Sequence, residues 1–296
     1  MNVKRETGHS CGAFDRARFE AYAKAGIDCL EISPSQNDGY NALDFPAIRA
    51  MADEYGLRLN SFHLRFSPFQ NVNITALDAE FRRKTVEYQK EFIRRGADVG
   101  IPIFVIHPSD EPISDDIRPT KIAYAKECLA ELADFAATCG ATVAVEDLPR
   151  TCLGNCSKEI LDIISVDDRL RICFDTNHML SEPLDDFLRA CAHKIVTTHV
   201  SDYDFKNERH WLPGEGDVNW KSLFDTFDEV GYKGPILYEL SLAKELESIK
   251  RERALTPEDL VRNHRELESR EPLTVLGVRT PGLEDWRISN WYTKKK

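Results

Sequence analysis

Six short apolar segments of this chain each end on a single ionisable residue, and a helical pattern separates each segment from the next. The segments are continuous apolar runs, which is typical of strands covered on both faces in a parallel sheet. Two earlier segments, residues 3–9 and 28–33, bring the strand candidates to eight, and the first of them is the weakest. The six terminal residues are His63, His107, Glu146, Asp175, His199 and Glu239.

The helices between these strands carry start and stop signals. Asp15 is placed to cap a first helix that Gly26 ends, and a capping box at Thr256 begins the last one. Strands that alternate with helices in this way predict an α/β protein with a single (β/α)8 TIM barrel, which we assign to residues 1–270. Residues 271–296 are expected to form an aromatic C-terminal tail that packs on the barrel or on a subunit partner.

The composition limits the class of protein. A net charge of −11 argues against a broad nucleic-acid surface, because such surfaces bind phosphates through clustered Lys and Arg. No apolar run approaches the roughly 18 residues that span a bilayer. The first residues lack the apolar segment of a secretory signal, and eight cysteines are too few for a disulfide scaffold in 296 residues. We therefore expect a cytoplasmic protein with reduced thiols.

The residue types at the six strand ends indicate a metal site. In a closed barrel the C-terminal ends of the strands converge on one cavity, which is where active sites of this fold lie. Carboxylates and imidazoles that meet without a lysine suit a divalent cation, since the oxygens supply charge and the neutral nitrogens supply affinity. A single histidine at a strand end would more often be structural, but six coincident positions favour the metal interpretation.

Five motifs also follow one another in a specific order. They are Val-Glu-Asp at 145–147, Phe-Asp-Thr-Asn-His at 174–178, His-Val-Ser-Asp at 199–202, Pro-Gly-Glu-Gly at 213–216 and Leu-Tyr-Glu-Leu at 237–240. Each motif is weak by itself, but in this order and spacing the chain resembles the xylose isomerase-like barrel superfamily. That superfamily contains sugar-phosphate isomerases and epimerases, ketose 3-epimerases and endonuclease IV.

The resemblance to the epimerase branch implies one divalent metal cation (Mn, Mg, Co or Zn) held by Glu146, Asp175, His199 and Glu239. It also implies that the two glutamates act as the acid–base pair of an isomerase or epimerase. Removing a proton next to a carbonyl requires stabilisation of the resulting enediolate, which a cation provides. Lyase chemistry on a keto-sugar begins with the same step, so the sequence leaves it as an alternative.

Three further residues are candidates to contact substrate. By analogy with the family, His178 touches substrate or metal, although it could instead cap the following helix. Arg209 is a candidate to bind a substrate hydroxyl or phosphate, although an arginine in a polar loop is often solvated. Asp202 is expected to orient a substrate group or a neighbouring side chain.

The chain also matches, position by position, the ligand set of the three-metal endonuclease IV branch. The additional candidates for metal or substrate are His63, His107, His178, Glu208 and His210, with Glu208 in place of an aspartate. This match makes a multinuclear phosphoester hydrolase the rival hypothesis. The net charge and the acidic residues 109–111 argue against it. The expected partner is therefore a small sugar, with further copies of the chain if it forms a homo-oligomer, and neither nucleic acid nor a membrane is expected.

Overall fold

The computed structural model describes residues 4–36, 39–246 and 248–280, and an eight-stranded parallel sheet lies at its centre. The strands are β1 (Thr7–Cys11), β2 (Cys29–Ile32), β3 (Arg58–His63), β4 (Ile103–Ile106), β5 (Thr142–Glu146), β6 (Arg171–Asp175), β7 (Ile195–His199) and β8 (Ile236–Tyr238). From β1 to β7 each strand pairs in parallel with the next one in the chain, and β1 also pairs with β8. The first strand begins later than the sequence predicts, at Thr7.

The sheet closes on itself between β7 and β8. Val200 forms a parallel bridge with Tyr238, and its N–H donates to the carbonyl of Leu237 at 2.8 Å. The N–H of Glu239 in turn donates to the carbonyl of Val200 at 3.2 Å. The predicted (β/α)8 barrel is therefore confirmed, and residues that follow β7 and β8 lie side by side at its mouth.

Eight helices surround the barrel in the described part of the chain. They are α1 (Arg16–Ala25), α2 (Phe45–Tyr55), α3 (Ala79–Asp98), α4 (Arg118–Thr138), α5 (Ser157–Ile164), α6 (Leu184–Cys191), α7 (Trp220–Glu229) and α8 (Pro257–Ser269). The Asp15 carboxylate caps α1, Gly26 ends it in the left-handed conformation, and Thr256 and Asp259 form the predicted capping box of α8. None of these helices is both long and apolar enough to cross a membrane.

A small antiparallel sheet that the sequence did not predict lies beyond β8. Its strands are β9 (Glu245–Leu246), β10 (Ile249–Arg251) and β11 (Gly277–Arg279). Arg279 of the predicted tail contacts the barrel, because it donates to the carbonyl of Glu215 and pairs with Asp217. The aromatic residues of that tail, Trp286, Trp291 and Tyr292, lie outside the described residues. The boundary at residue 270 and the packing of the tail stay predictions.

Close packing between α3 and the barrel depends on a glycine. A Cβ atom added at Gly96 would lie 2.7 Å from Cε1 of Phe104, which is on β4. Phe104 is fully buried among other aromatic rings, so it has little room to move. The absence of a side chain at Gly96 is what lets the helix backbone approach the strand this closely.

We expect Gly96→Ala to lower the free energy of unfolding by about 1–3 kcal/mol, as overpacked cores do. Alanine is the better helix former by roughly 1 kcal/mol, so intrinsic propensity alone predicts the opposite sign. Urea unfolding followed by circular dichroism measures the change. Lys84→Ala on the exposed face of α3 is the control and should change stability by less than about 0.5 kcal/mol. A stabilised Gly96→Ala protein would refute the packing argument.

Candidate active site

The ionisable strand ends point into the barrel because side chains alternate between the two faces of a strand. Val105, Ala144 and Cys173 form a small buried cluster inside the barrel. Two residues further along their strands, on the same face, come Glu146 on β5 and Asp175 on β6. An apolar layer therefore supports a polar layer at the mouth of the barrel.

The four residues predicted to hold a metal come together in this polar layer. Glu146, Asp175, His199 and Glu239 each offer one ligand atom, and these atoms all lie within 4.8 Å of one another. The Nδ1 atom of His199 lies 2.9 Å from Glu146 Oε1, 3.5 Å from Glu239 Oε2 and 4.0 Å from Asp175 Oδ2. Glu239 is the one member that is partly exposed, at 23% of its side chain.

Asp175 provides a test of whether a cation fits this cluster. Its Oδ2 atom is buried and has no hydrogen-bond partner. A buried carboxylate oxygen normally accepts a hydrogen bond, because leaving it unpaired costs free energy. A divalent cation bound among these three carboxylates and one imidazole would satisfy that oxygen, so the donor set fits a metal.

The charges in the cluster also depend on one another. Burial disfavours ionisation of Glu146, but His199 and His107 outweigh it and hold the pKa of this carboxyl well below its usual value. Burial raises the pKa of Asp175 well above its usual value, and the nearby charges of Glu239 and Glu146 add to the effect. The imidazoles therefore do not fully offset the repulsion between these closely spaced carboxylates. A bound cation would relieve that repulsion.

Glu31 belongs to the same layer, although the sequence analysis did not single it out. Its two carboxylate oxygens lie 3.0 and 3.1 Å from Nε2 of His199, and Ser61 donates to it at 2.8 Å. The contact turns Nδ1 of His199 toward the four-residue cluster, as carboxylates beside metal-binding histidines commonly do. The sequence offered one signal for Glu31, a glutamate within the apolar run of β2. All four residues of this strand are buried.

His63 and His107 approach Glu146 from the neighbouring strands. The Nε2 atoms of both imidazoles lie 3.1 Å from Glu146 Oε2. Burial opposes a charge on His63, but its hydrogen bond to Glu146 and the charge of that carboxylate raise the pKa of His63 to about 9. His63, Glu146 and His199 form a second group with ligand atoms within 4.8 Å of one another.

The remaining predicted histidines lie at the edge of the cluster. His178 Nδ1 is 2.7 Å from the carbonyl oxygen of Asp147 and 3.4 Å from Asp175 Oδ2. The alternative that His178 caps the next helix is not supported by these contacts, and α6 begins without a side-chain cap hydrogen bond. His210 Nδ1 lies 3.1 Å from the carbonyl oxygen of Glu239 and 3.9 Å from its Oε2.

A cavity of about 210 Å³ opens above the cluster. Two phenylalanines, Phe66 and Phe69, form an apolar wall, and the ring of Phe66 stacks on His107 with centroids 4.0 Å apart. Glu208 lines the cavity and pairs with Arg150 at 2.6 Å. Arg150 was not among the predicted site residues, since an arginine in a loop gives no local signal of its partners.

The prediction that Arg209 binds substrate is not supported by its contacts. The guanidinium pairs with Asp204, with its Nη2 atom 2.8 Å from the carboxylate, and it lies over the ring of Trp211. Arg209 does not line the cavity, although its neighbours Glu208 and His210 do. The arginine that the structure brings to the cavity is Arg150.

The prediction that Asp202 binds substrate is not supported by its contacts, because its carboxylate is fully buried and accepts hydrogen bonds from the protein itself. It accepts hydrogen bonds from the loop that follows β7, and it does not line the cavity. The four donors are the backbone N–H groups of Tyr203, Gly214 and Val218 and the indole N–H of Trp220. Asp202 therefore holds the loop in place, and its predicted role in orienting a substrate group or a neighbouring side chain stays a prediction.

Known proteins resemble the chain over most of its length. A D-psicose 3-epimerase from Ruminiclostridium cellulolyticum is 24% identical over 232 residues, which cover 75% of this chain and 76% of that protein. An L-ribulose-5-phosphate 3-epimerase from Shigella flexneri is 25% identical over 228 residues, covering 73% and 78%. The crystal structure of a D-tagatose 3-epimerase-like protein superposes with a TM-score of 0.72 at 20% identity, covering 90% of this chain and 98% of that one. This last likeness is evidence for the fold.

The profile of one protein family matches residues 19–262, which include all six ionisable strand ends and the loops that follow them. Its description is xylose isomerase-like TIM barrel, in agreement with the resemblance of the five motifs and with the closed barrel of the structure. The match spans well over half of the chain. The protein therefore belongs to the xylose isomerase-like TIM barrel family.

Proposed function

We propose that the protein is a divalent-metal-dependent sugar epimerase or isomerase that abstracts a proton next to a carbonyl and forms an enediolate. The observation that carries this proposal is the meeting of Glu146 and Glu239 in one cluster of cation ligands beneath a small cavity. Two of the relatives bear the names of sugar 3-epimerases, which supports the same reaction class.

Glu146, Asp175, His199 and Glu239 would hold the cation, since their ligand atoms lie together and Asp175 Oδ2 has no hydrogen-bond partner. When bound, a divalent cation stabilises the negative charge that develops on the substrate oxygen as the proton leaves. The chain's own contribution is to fix the ligands: Glu31 orients His199, and His63 and His107 hold Glu146.

The two glutamates are suited to act as base and acid. Glu146 comes from β5 and Glu239 follows β8, so their carboxylates reach the cavity from different sides of the barrel. Epimerisation requires one group to remove a proton from one face of a carbon and another to deliver a proton to the opposite face. Glu146 is anchored by imidazoles, whereas the partly exposed Glu239 has more freedom to move with a bound substrate.

A second candidate function is a multinuclear phosphoester hydrolase. The observation that favours it is the second group of possible ligands, in which His63 joins Glu146 and His199. Two cations about 3.5–4 Å apart would activate water and stabilise the leaving oxygen. A keto-sugar lyase remains a variant of the leading proposal, because it begins with the same proton abstraction.

Glu239→Gln should reduce solvent-deuterium exchange into the substrate by at least about 10²-fold, because the amide cannot transfer the proton. Incubation of the metal-loaded protein with a panel of ketoses and keto-glycosides in deuterium oxide, read by mass spectrometry, measures the exchange. Glu245→Gln, at an exposed position on β9, is the control and should exchange at the wild-type rate. Retained exchange in Glu239→Gln, with an unchanged unfolding midpoint, would refute the role of this residue.

Metal removal distinguishes the two candidate functions. Dialysis against a chelator should abolish exchange, and titration with Mn or Co should restore it at one equivalent per chain. Elemental analysis of the active protein measures the stoichiometry. Two or three equivalents bound with high affinity, together with release of phosphate from a phosphoester, would instead favour the hydrolase.

Glu31→Gln should weaken metal binding by roughly 10–100-fold, the usual effect of losing a carboxylate behind a metal-binding histidine. Calorimetric titration of the metal-free protein measures the dissociation constant. Ser10→Ala is the matched control, because Ser10 donates to Glu31 at 3.1 Å but is not among the His199 partners described above. An unchanged dissociation constant in Glu31→Gln would show that its contact with His199 is structural.

A further inference from the structure

The loop after β7 contains the Gly-rich segment at 213–216, in the part of the fold where (β/α)8 enzymes commonly bind phosphate. Here two backbone N–H groups of the loop already donate to Asp202, that of Gly214 at 2.8 Å and that of Val218 at 3.2 Å. A Cβ atom at Gly216 would lie 2.0 Å from Asp202 Oδ1, so the loop is wrapped tightly around this carboxylate. The N–H groups that donate to this internal carboxylate are therefore not available to a substrate phosphate.

The cationic group at the cavity is also engaged from within the protein. Arg150 forms a paired contact with Glu111, with Nε at 3.0 Å and Nη2 at 2.5 Å from the two carboxylate oxygens. Its Nη1 atom lies 2.8 Å from Asn207 Oδ1 and 2.6 Å from Glu208 Oε1. These four residues, which we call the Arg150 network, place two carboxylates around one guanidinium. A phosphate could reach Arg150 only by displacing one of them.

Two other arginines near the mouth of the barrel are also paired with carboxylates of the protein itself. Arg209, in the loop after β7, binds Asp204. Arg251, on β10, forms a buried pair with Glu215 at 2.7 and 2.9 Å. Glu215 belongs to the Gly-rich segment itself, so the carboxylates of Asp202 and Glu215 both bind within the protein, and the guanidinium of Arg251 is already neutralised.

The walls of the cavity have a surplus of negative charge. Among the described residues that line it, Arg150 is the one lysine or arginine. The carboxylates that line it are Glu111, Glu146, Glu208 and Glu239. The three carboxylates that would bind a divalent cation already offset its charge, which leaves Glu111 and Glu208 against Arg150. Phe66 and Phe69 add an apolar wall that suits the C–H face of a sugar and offers a phosphate no donor.

From these observations we infer that the substrate is an uncharged ketose or keto-sugar and that the Arg150 network discriminates against its phosphate esters. The inference rests on the proposed function and gives it a substrate class. Glu111 and Glu208 are its specificity-determining residues, because they neutralise the guanidinium and face an incoming phosphate with like charge.

The test compares each sugar with its own phosphate ester. The metal-loaded full chain is incubated in deuterium oxide with D-ribulose or D-ribulose 5-phosphate, and with D-fructose or D-fructose 6-phosphate. Exchange gives the ratio of kcat/KM for sugar over phosphate, and calorimetry gives the binding of the same ligands. We expect kcat/KM for the uncharged sugar to exceed that for its phosphate ester by roughly tenfold or more, because like-charge contacts disfavour the phosphate.

Replacing Glu111 and Glu208 together by glutamine should lower that ratio by roughly tenfold or more, because it frees Arg150 and removes two negative charges. The matched control replaces Glu87 and Glu131, which both pair with the single cation Lys90 on the outer surface, at 2.9 and 2.5 Å. This control has the same change in net charge and should keep the wild-type ratio. If the double variant does not fold, Glu208→Gln alone should lower the ratio in the same direction.

A ratio at or below one, or a ratio that the cavity variants leave unchanged, would overturn the inference while exchange still supports the proposed function. Binding of the uncharged sugars without any exchange would overturn the proposed function and leave the substrate class standing. If neither form of any sugar binds, both proposals fail.

Discussion

The crowding of charge at the top of the barrel is the constraint on which the rest of the site depends. His199 lies between Glu31 and Glu146, at 3.0 and 2.9 Å, and all three side chains are buried. Buried carboxylates at this spacing are stable only when opposite charge or donated hydrogen bonds lie between them. Imidazoles provide that charge for Glu31 and Glu146, but Asp175 keeps one oxygen without a hydrogen-bond partner. The ion pairs of the layer therefore leave this oxygen without a hydrogen bond, and the proposed cation would satisfy it.

The need of buried carboxylates for opposite charge or donated hydrogen bonds also explains how the loops above this layer are held. Asp202 holds the loop after β7 through its backbone N–H groups, and the buried pair of Glu215 with Arg251 fixes that loop to the small C-terminal sheet. These contacts lie behind the cavity, yet they determine where Glu208 and His210 stand at its edge. Loops of a barrel carry the specificity of the enzyme, so elements that fix them contribute to function without touching substrate.

Internal pairing also limits what the cavity can bind. An arginine that is free to accept a phosphate or carboxylate would be a strong recognition group, since its fork matches two oxygens. In this chain the forks of Arg150, Arg209 and Arg251 each contact a carboxylate of the protein itself. Under the proposed function, the protein would combine a cation that binds sugar oxygens with an edge of the cavity that disfavours additional negative charge.

The sequence by itself determined the barrel, because eight apolar runs and their helix caps are local patterns that allow few other folds. It also determined which strand ends would meet, since Glu146, Asp175 and His199 each close such a run and strands of a barrel converge. Only the tertiary structure decided the partners of Arg209 and Asp202, and only it revealed Glu31 behind His199. Those side chains look alike in sequence whether they face a substrate or a neighbouring loop. Whether such a side chain faces a substrate or a loop depends on contacts between residues far apart in the chain, which no local pattern records.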